Sequence, residues 1–264
     1  MATMNMKDWS TSIAEVISTH DKEEVLVRGR KLSELTGSIS FVEMMYLMFV
    51  GDLPTKAQAR VLDALLVASV EHGIAPPSMI ARCFASYGTT IQGAVAGGVM
   101  AFGDRMGGLG EQLAKLMSER LGRISSDPAS IPEERLREEA QAIVEEAQEK
   151  GERVPGYGIP LHAMDPRAPK VLGIAKSEGT FGPYGRFGEL IEDALSENRG
   201  GKRVPMNLDG VGAVVVLDTG LNWRTTRMFL ITPRSVSMGA HFIEEQDQDS
   251  TWRHIPADWI DYAR

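Results

Sequence analysis

The sequence predicts an all-α fold, and three observations predict it. Apolar residues recur at three- and four-residue spacing through most of the chain, as one face of a helix requires. Clusters of glycine and proline punctuate those segments. The strand signal is weak and confined to Val25–Gly29 near the start.

The elements follow in order. Thr55–Val70 reads TKAQARVLDALLVASV, with Val61, Leu62, Leu65, Leu66 and Val70 at helical spacing. Pro54 precedes it and Thr55 can cap its first turn. Pro77–Tyr87 and Thr89–Phe102 are two further helices broken at Gly88. The second is built of small residues on nearly every side, which suits a buried helix or one at a subunit interface. Leu109–Leu121 is amphipathic, and Arg123–Pro132 is polar with two prolines, a linker by composition. Glu133–Lys150 is so charged that it reads as a solvent-exposed outer helix. The run VPGYGIPLHAMDPR, from Val154 to Arg167, holds three prolines and two glycines and must be a shaped loop. Helices resume at Ala168–Ser177, Gly185–Glu197, Gly210–Asp218 and Thr225–Gln246. There is no internal repeat.

Composition narrows the function. With 264 residues, 43% of them hydrophobic, the chain can bury a substantial core, which excludes disorder and a stapled mini-protein. Lys and Arg number 28 against 36 Asp and Glu, a net charge of −8, so no general field attracts nucleic acid or anionic lipid. The single cysteine, Cys83, forbids an intrachain disulfide and a multi-cysteine zinc site, and fits a reducing compartment. No apolar run reaches the ~20 residues of a membrane span, and the first residues lack an apolar signal core, so the expected location is cytoplasmic.

Three short motifs could carry chemistry, and each has a plain structural alternative. Glu71-His72-Gly73 closes an apolar helix, where a histidine is either a ligand or a partner for the helix dipole. Asp165-Pro166-Arg167 sets an arginine after a rigid turn, as an anion binder or as half of a structural pair. Asp209, in Met206-Asn207-Leu208-Asp209-Gly210, is either an acid–base group or a helix N-cap. Other signals fall away. The glycines of Gly103–Gly110 do not follow a strand, which leaves a dinucleotide fingerprint unsupported. The five histidines lack HxH and HExxH spacing, so no metal is expected. There is no GxSxG elbow, and Cys83 falls in a helix expected to be buried, where a thiol is inert.

Taken in order, the motifs resemble those of the citrate synthase superfamily. They are Glu71-His72-Gly73, Gly103-Asp104-Arg105-Met106-Gly107-Gly108, Val154-Pro155-Gly156-Tyr157-Gly158, Asp165-Pro166-Arg167, Asn207-Leu208-Asp209-Gly210, and Arg234 with Ala240-His241 and Glu245-Gln246. Trp252-Arg253-His254 near the end also fits. The chain is most similar to the short lyase branch, citryl-CoA lyase and the citryl-CoA-cleaving module of ATP citrate lyase. That resemblance implies a citrate-synthase-like helical homodimer with shared active sites. It also implies one chain over 1–264, with large-domain parts 1–122 and 205–264 around a small domain of about 123–204.

The resemblance further implies roles. Arg167, Arg234 and Arg253 match arginines that hold substrate carboxylates, Arg253 from across the dimer; guanidinium forks suit that task because they bind carboxylate bidentately. His72 matches a histidine that contacts the keto-acid portion, and Asp209 the carboxylate that moves a proton on or off the thioester α-carbon. Val154, Pro155, Gly156, Tyr157 and Gly158 match a loop whose backbone meets the coenzyme A adenine, which makes a coenzyme A thioester the expected substrate. Two positions depart from the pattern. Met106 stands where synthases place the histidine of GPLHGG, as in the lyase branch. Ile159 stands where PGxGH has its histidine, and isoleucine neither donates nor accepts a hydrogen bond. His162 is the nearest substitute. The expected activity is therefore carbon–carbon cleavage of a citryl-CoA-like acyl-CoA. A condensing synthase and a silent ligand-binding paralogue are the alternatives.

Overall fold

The computed structural model of the chain describes residues 9–158 and 165–263. Ile159 and His162 therefore lie outside the described residues. The chain divides into two units, Met1–Arg60 and Val61–Arg264.

The first unit corrects the all-α expectation. It carries a three-stranded antiparallel sheet, β1 (Ala14–Thr19), β2 (Lys22–Val27) and β3 (Arg30–Lys31), in that order. In the β1–β2 hairpin Thr19 pairs with Lys22 and Ala14 with Val27. Arg28 and Gly29 turn β2 into β3 with φ of 49° and 76°, the doubly left-handed pair that a tight hairpin needs. The Arg28 guanidinium donates to the Met48 carbonyl from Nη2 at 2.7 Å and from Nε at 3.1 Å, which pins that turn. Most of β1 is exposed on both faces, so it has no reason to show a period-two pattern. A short helix α1 (Leu32–Leu35) and α2 (Phe41–Val50) complete the unit. Helix α2 opens with a Ser40–Glu43 capping box and closes on Gly51 at φ 97°. It is apolar almost throughout, so no amphipathic stripe marks it in the sequence.

The second unit runs from Val61, within α3 (Lys56–Ser69), onward. Its helices are α4 (Pro76–Ser86), α5 (Ile91–Met100), α6 (Leu109–Ile124), α7 (Glu133–Glu149), α8 (Arg167–Ser177), α9 (Pro183–Asn198), α10 (Leu208–Asp218) and α11 (Met228–Asp247). Each overlaps a helix expected from periodicity, with ends differing by up to three residues. Around α4, α5 and α11 a core forms from Ala81, Ala85, Ala94, Met238 and Phe242. The small residues of α5 matter there: a Cβ on Gly98 would stand 2.9 Å from the Pro77 carbonyl oxygen. Within this unit Ala94 and Gly98 are buried while Ile91 and Met100 are exposed. Cys83 is half-buried rather than enclosed.

Helix α7 departs from its expected exposure. Leu136, Ala140, Ile143 and Val144 are buried on one narrow stripe that packs on α9, and the charged residues take the rest of the surface. Few apolar residues suffice when the three- and four-residue spacing gathers them. Helix α10 is the opposite case, with Val211–Leu217 all buried against α6, α8 and α9. No helix among the described residues is long and apolar enough to cross a membrane.

Candidate active site

Three backbones converge at the start of α10, and glycine is what lets them. A Cβ on Gly110, in the first turn of α6, would lie 2.9 Å from the Asp209 carbonyl oxygen. One on Gly156 would lie 2.9 Å from the Gly210 Cα, and one on Gly210 would collide with the Gly156 carbonyl oxygen. The loop Val154–Gly158 is sewn to the segment before α10. Asn207 N donates to the Gly156 carbonyl at 3.0 Å, and Gly158 N to that of Pro205 at 2.9 Å. Asn207 Nδ2 donates to the Gly158 carbonyl at 2.9 Å. The Tyr157 hydroxyl donates to the Gly188 carbonyl at 2.8 Å, and burial drives that phenol well above its ordinary value. Motifs far apart in sequence thus become one surface.

Asn207, not Asp209, caps α10: its Oδ1 accepts from Gly210 N at 3.1 Å. The helix begins two residues earlier than expected, and the Asp209 side chain is left for another use. It enters a cavity of about 350 Å³ with His72, Arg105, Asp165, Arg167 and Arg234. Burial pushes the Asp209 carboxyl above its ordinary value; Arg167 and Arg234 pull it down and Asp165 pushes it further up. A carboxyl so placed is held nearer to its protonated form than a surface aspartate.

The arginines differ from one another. Arg234, on α11, is only 7% exposed, and its Nε makes no hydrogen bond among the described residues. Burial lowers its affinity for the proton, with Glu71 and Asp209 opposing and Arg167 adding to that effect. A buried guanidinium without a bound partner facing a cavity is a natural anion site. Arg167 realises the structural alternative: Nε meets Asp165 Oδ1 at 3.0 Å and Nη2 meets Oδ2 at 2.8 Å. Its Nη1 also donates to the carbonyls of Ala68, in the last turn of α3, and Glu71, just beyond it, at 3.2 and 3.3 Å. Arg253 does not line this cavity. Its Nε, on the segment after α11, donates to Glu245 Oε1 in the last turn of that helix at 2.5 Å.

Glu71-His72-Gly73 does not close α3 but lies just beyond it, with Gly73 at φ 71°. His72 is exposed at the cavity wall, its backbone N–H donating to Glu71 Oε1 at 2.7 Å. Two lining residues escaped the sequence argument. Arg105 stands inside a quoted motif but was given no role, and Thr226, whose buried Oγ1 makes no hydrogen bond among the described residues, carries no sequence signal. Among the described residues no group of three or more His, Cys, Asp or Glu could hold a metal ion.

A second cavity, of about 620 Å³, is walled by Val154–Gly158 together with Gln148, Arg153, Asn198, Arg199 and Val204. Leu109, Gly158 and Asn207 line both cavities, so the two adjoin at the glycine-tight contact below Asp209.

Comparison with known proteins follows the same lines. The family model for the citrate synthase C-terminal domain matches residues 56–255. A citryl-CoA lyase structure from Hydrogenobacter thermophilus is 30% identical with a TM-score of 0.84, covering 97% of this chain and 95% of that one. An ATP citrate lyase from Methanothrix soehngenii, solved with citrate and coenzyme A, is 17% identical with a TM-score of 0.79, over 99% of this chain and 42% of that one. The citrate synthase of Heyndrickxia coagulans is 23% identical over 237 residues, 89% of this chain, of which the match spans 58% of the relative's length. The chain belongs to the citrate synthase superfamily, in its short lyase branch.

Proposed function

We propose that this chain is a carbon–carbon lyase that cleaves a citryl-CoA-like β-hydroxy acyl-CoA to a keto acid and an acyl-CoA. One observation carries the reading: a desolvated carboxyl, Asp209, shares a cavity with Arg234 and Arg167, and that cavity adjoins the larger one built on Val154–Gly158. The citryl-CoA lyase likeness over nearly the whole of both chains supports it.

In this reading the larger cavity takes the coenzyme A portion and the smaller one the acid. Arg234 binds a carboxylate through its unengaged edge, while Arg167, already forked onto Asp165, contributes charge from a fixed position. His72 contacts the keto-acid portion. As the hydroxyl proton leaves, the oxygen's electron pair forms the carbonyl and the carbon–carbon bond breaks. The bonding pair passes to the thioester as an enolate, and protonated Asp209 delivers a proton to its α-carbon. The raised Asp209 carboxyl suits that donation. His162 is the candidate to take the hydroxyl proton, in the place of the histidine replaced by Ile159.

The catalytic unit in this proposal is a homodimer with Arg253 completing the partner's site. Trp252, Ile255, Trp259 and Tyr262 are all more than half exposed, as residues awaiting a covering surface would be. Residues 123–204 are the proposed small domain. The condensing direction shares the same transition state, and the citrate synthase relatives favour keeping it as a second reading.

A thermal-shift panel with oxaloacetate, pyruvate, citrate, acetyl-CoA and free CoA tests the assignment. Stabilisation by a dicarboxylate and by CoA is expected; none from either contradicts the site. Mixing inactive Arg253→Ala and Asp209→Ala chains should restore partial turnover through exchanged subunits. A fully active monomer in sedimentation would remove the shared site.

A further inference from the structure

Glu71 has no part in the chemistry above, yet it bonds to His72 and Arg167 and its charge acts on Arg234. Its Oε1 accepts the His72 backbone N–H at 2.7 Å. Its carbonyl accepts from Arg167 Nη1 at 3.3 Å. Its charge is the foremost influence opposing the loss of the proton from Arg234. Its Oε2 accepts the Ser237 hydroxyl and faces His241 Nε2 at 3.2 Å, too oblique for a hydrogen bond. Ser237 and His241 belong to α11, the helix that also carries Arg234. One carboxylate therefore ties the chain after α3 to the helix that presents the buried guanidinium.

The far side of His241 is fixed as well. Arg82 Nε donates to His241 Nδ1 at 3.0 Å, which puts the ring proton on Nε2, toward Glu71. Arg82 is in turn held by the fully buried Glu245, whose Oε2 accepts from Nη1 at 2.7 Å, and by Glu244. Glu245 also takes Arg253. Glu71 ends this charged row next to His72, which lines the cavity, and its partners hold its carboxyl below the ordinary value although burial opposes them.

We propose that Glu71 is a positioning residue that aligns His72, Arg167 and Arg234 for the acid substrate, a role that rests on the proposed function. It contacts neither the reacting carbons nor the coenzyme A cavity. Its loss should therefore weaken acid binding without weakening coenzyme A binding.

The test is calorimetric titration of the full chain with oxaloacetate and with CoA, in the parent protein, Glu71→Ala and Glu71→Asp. Loss of a charge-assisted contact predicts about tenfold or more weaker oxaloacetate binding in Glu71→Ala. CoA affinity should stay within about twofold, the same principle expecting no change where no contact is lost. Glu71→Asp should recover part of the loss. Unchanged oxaloacetate affinity, or an equal loss for both ligands, would overturn the role. The His72 ring resonances, recorded without ligand, read the same claim independently: they should move in Glu71→Ala. If the parent binds neither probe, the proposed function fails and these resonances decide alone; an unmoved His72 then sinks the positioning role. Should Glu71→Ala not fold, the isosteric Glu71→Gln replaces it in each arm.

Discussion

Helix α10 carries a half-buried aspartate near each end, and the two have opposite fates. Asp218, at the last turn, accepts the backbone N–H groups of Gly182, Tyr184 and Gly185 at 2.8–2.9 Å and so caps the start of α9. Asp209, at the first turn, lies in a cavity whose nearest charges are Arg167, Arg234 and Asp165. Burial raises both carboxyls, Asp218 to about 6. Desolvation alone therefore does not distinguish a catalytic carboxyl. The distinction lies in what satisfies the charge: fixed backbone donors make a joint, whereas a cavity with cations on its wall makes a site.

The sharpest way to break this comparison is Asp209→Asn. Removing an acid–base group predicts a turnover loss of ~10²–10⁴ with the fold retained. Equal turnover, measured alongside the melting curve, would make Asp209 as structural as Asp218. Asp218→Ala predicts the reverse pattern: three partly buried N–H groups lose their acceptor, costing about 3 kcal/mol of stability. Denaturant unfolding checks it, and any loss of turnover should track only the unfolded fraction.

How much of this contrast was legible beforehand depends on what each residue needs to be understood. The Asn207–Gly210 motif marks the start of α10, but one sequence cannot say whether Asn207 or Asp209 is the cap, because both side chains can accept. Arg234 was found through the resemblance alone, whereas the Asp165-Pro166-Arg167 turn already marked Arg167. That Arg167 is tied to Asp165 while Arg234 is not depends on tertiary contacts. Glu71 was visible in its triplet, but its tie to Ser237 needs α11, which lies far along the chain. The small sheet and α2 were illegible for simpler reasons: β1 buries neither face, and α2 buries one face but keeps apolar residues such as Phe41 and Val50 on the exposed side as well, so neither shows a periodic pattern.

A middle-sized effect concerns pH. The folded Asp218 carboxyl titrates near 6, above the 3.8 of an ordinary aspartate. Protonation therefore favours the folded state, and this contribution is full below about pH 4 and lost as pH rises through about 6. A shift of that size corresponds to about 3 kcal/mol. Unfolding free energies between pH 4 and 7 should show this slope in the parent and a flatter one in Asp218→Asn. Identical slopes would mean that the backbone donors offset burial completely.

The smallest effect expected is for Arg234→Lys. Lysine keeps the charge but loses the planar fork, so binding of the acid should weaken by roughly 1–3 kcal/mol. Arg167→Lys should cost stability as well, because its fork already serves Asp165. Unchanged dicarboxylate affinity in both variants would remove the guanidiniums from the acid site.

The central claim is that Asp209 moves a proton at the α-carbon of a coenzyme A thioester. Hydrogen–deuterium exchange at the methyl group of acetyl-CoA, in heavy water with oxaloacetate present, measures that step without requiring net turnover. The parent chain should wash deuterium into the methyl group, and Asp209→Asn, verified as folded, should do so at least about a hundredfold more slowly. Exchange at equal rates in the two proteins, or none in the parent while both ligands bind, would contradict the account.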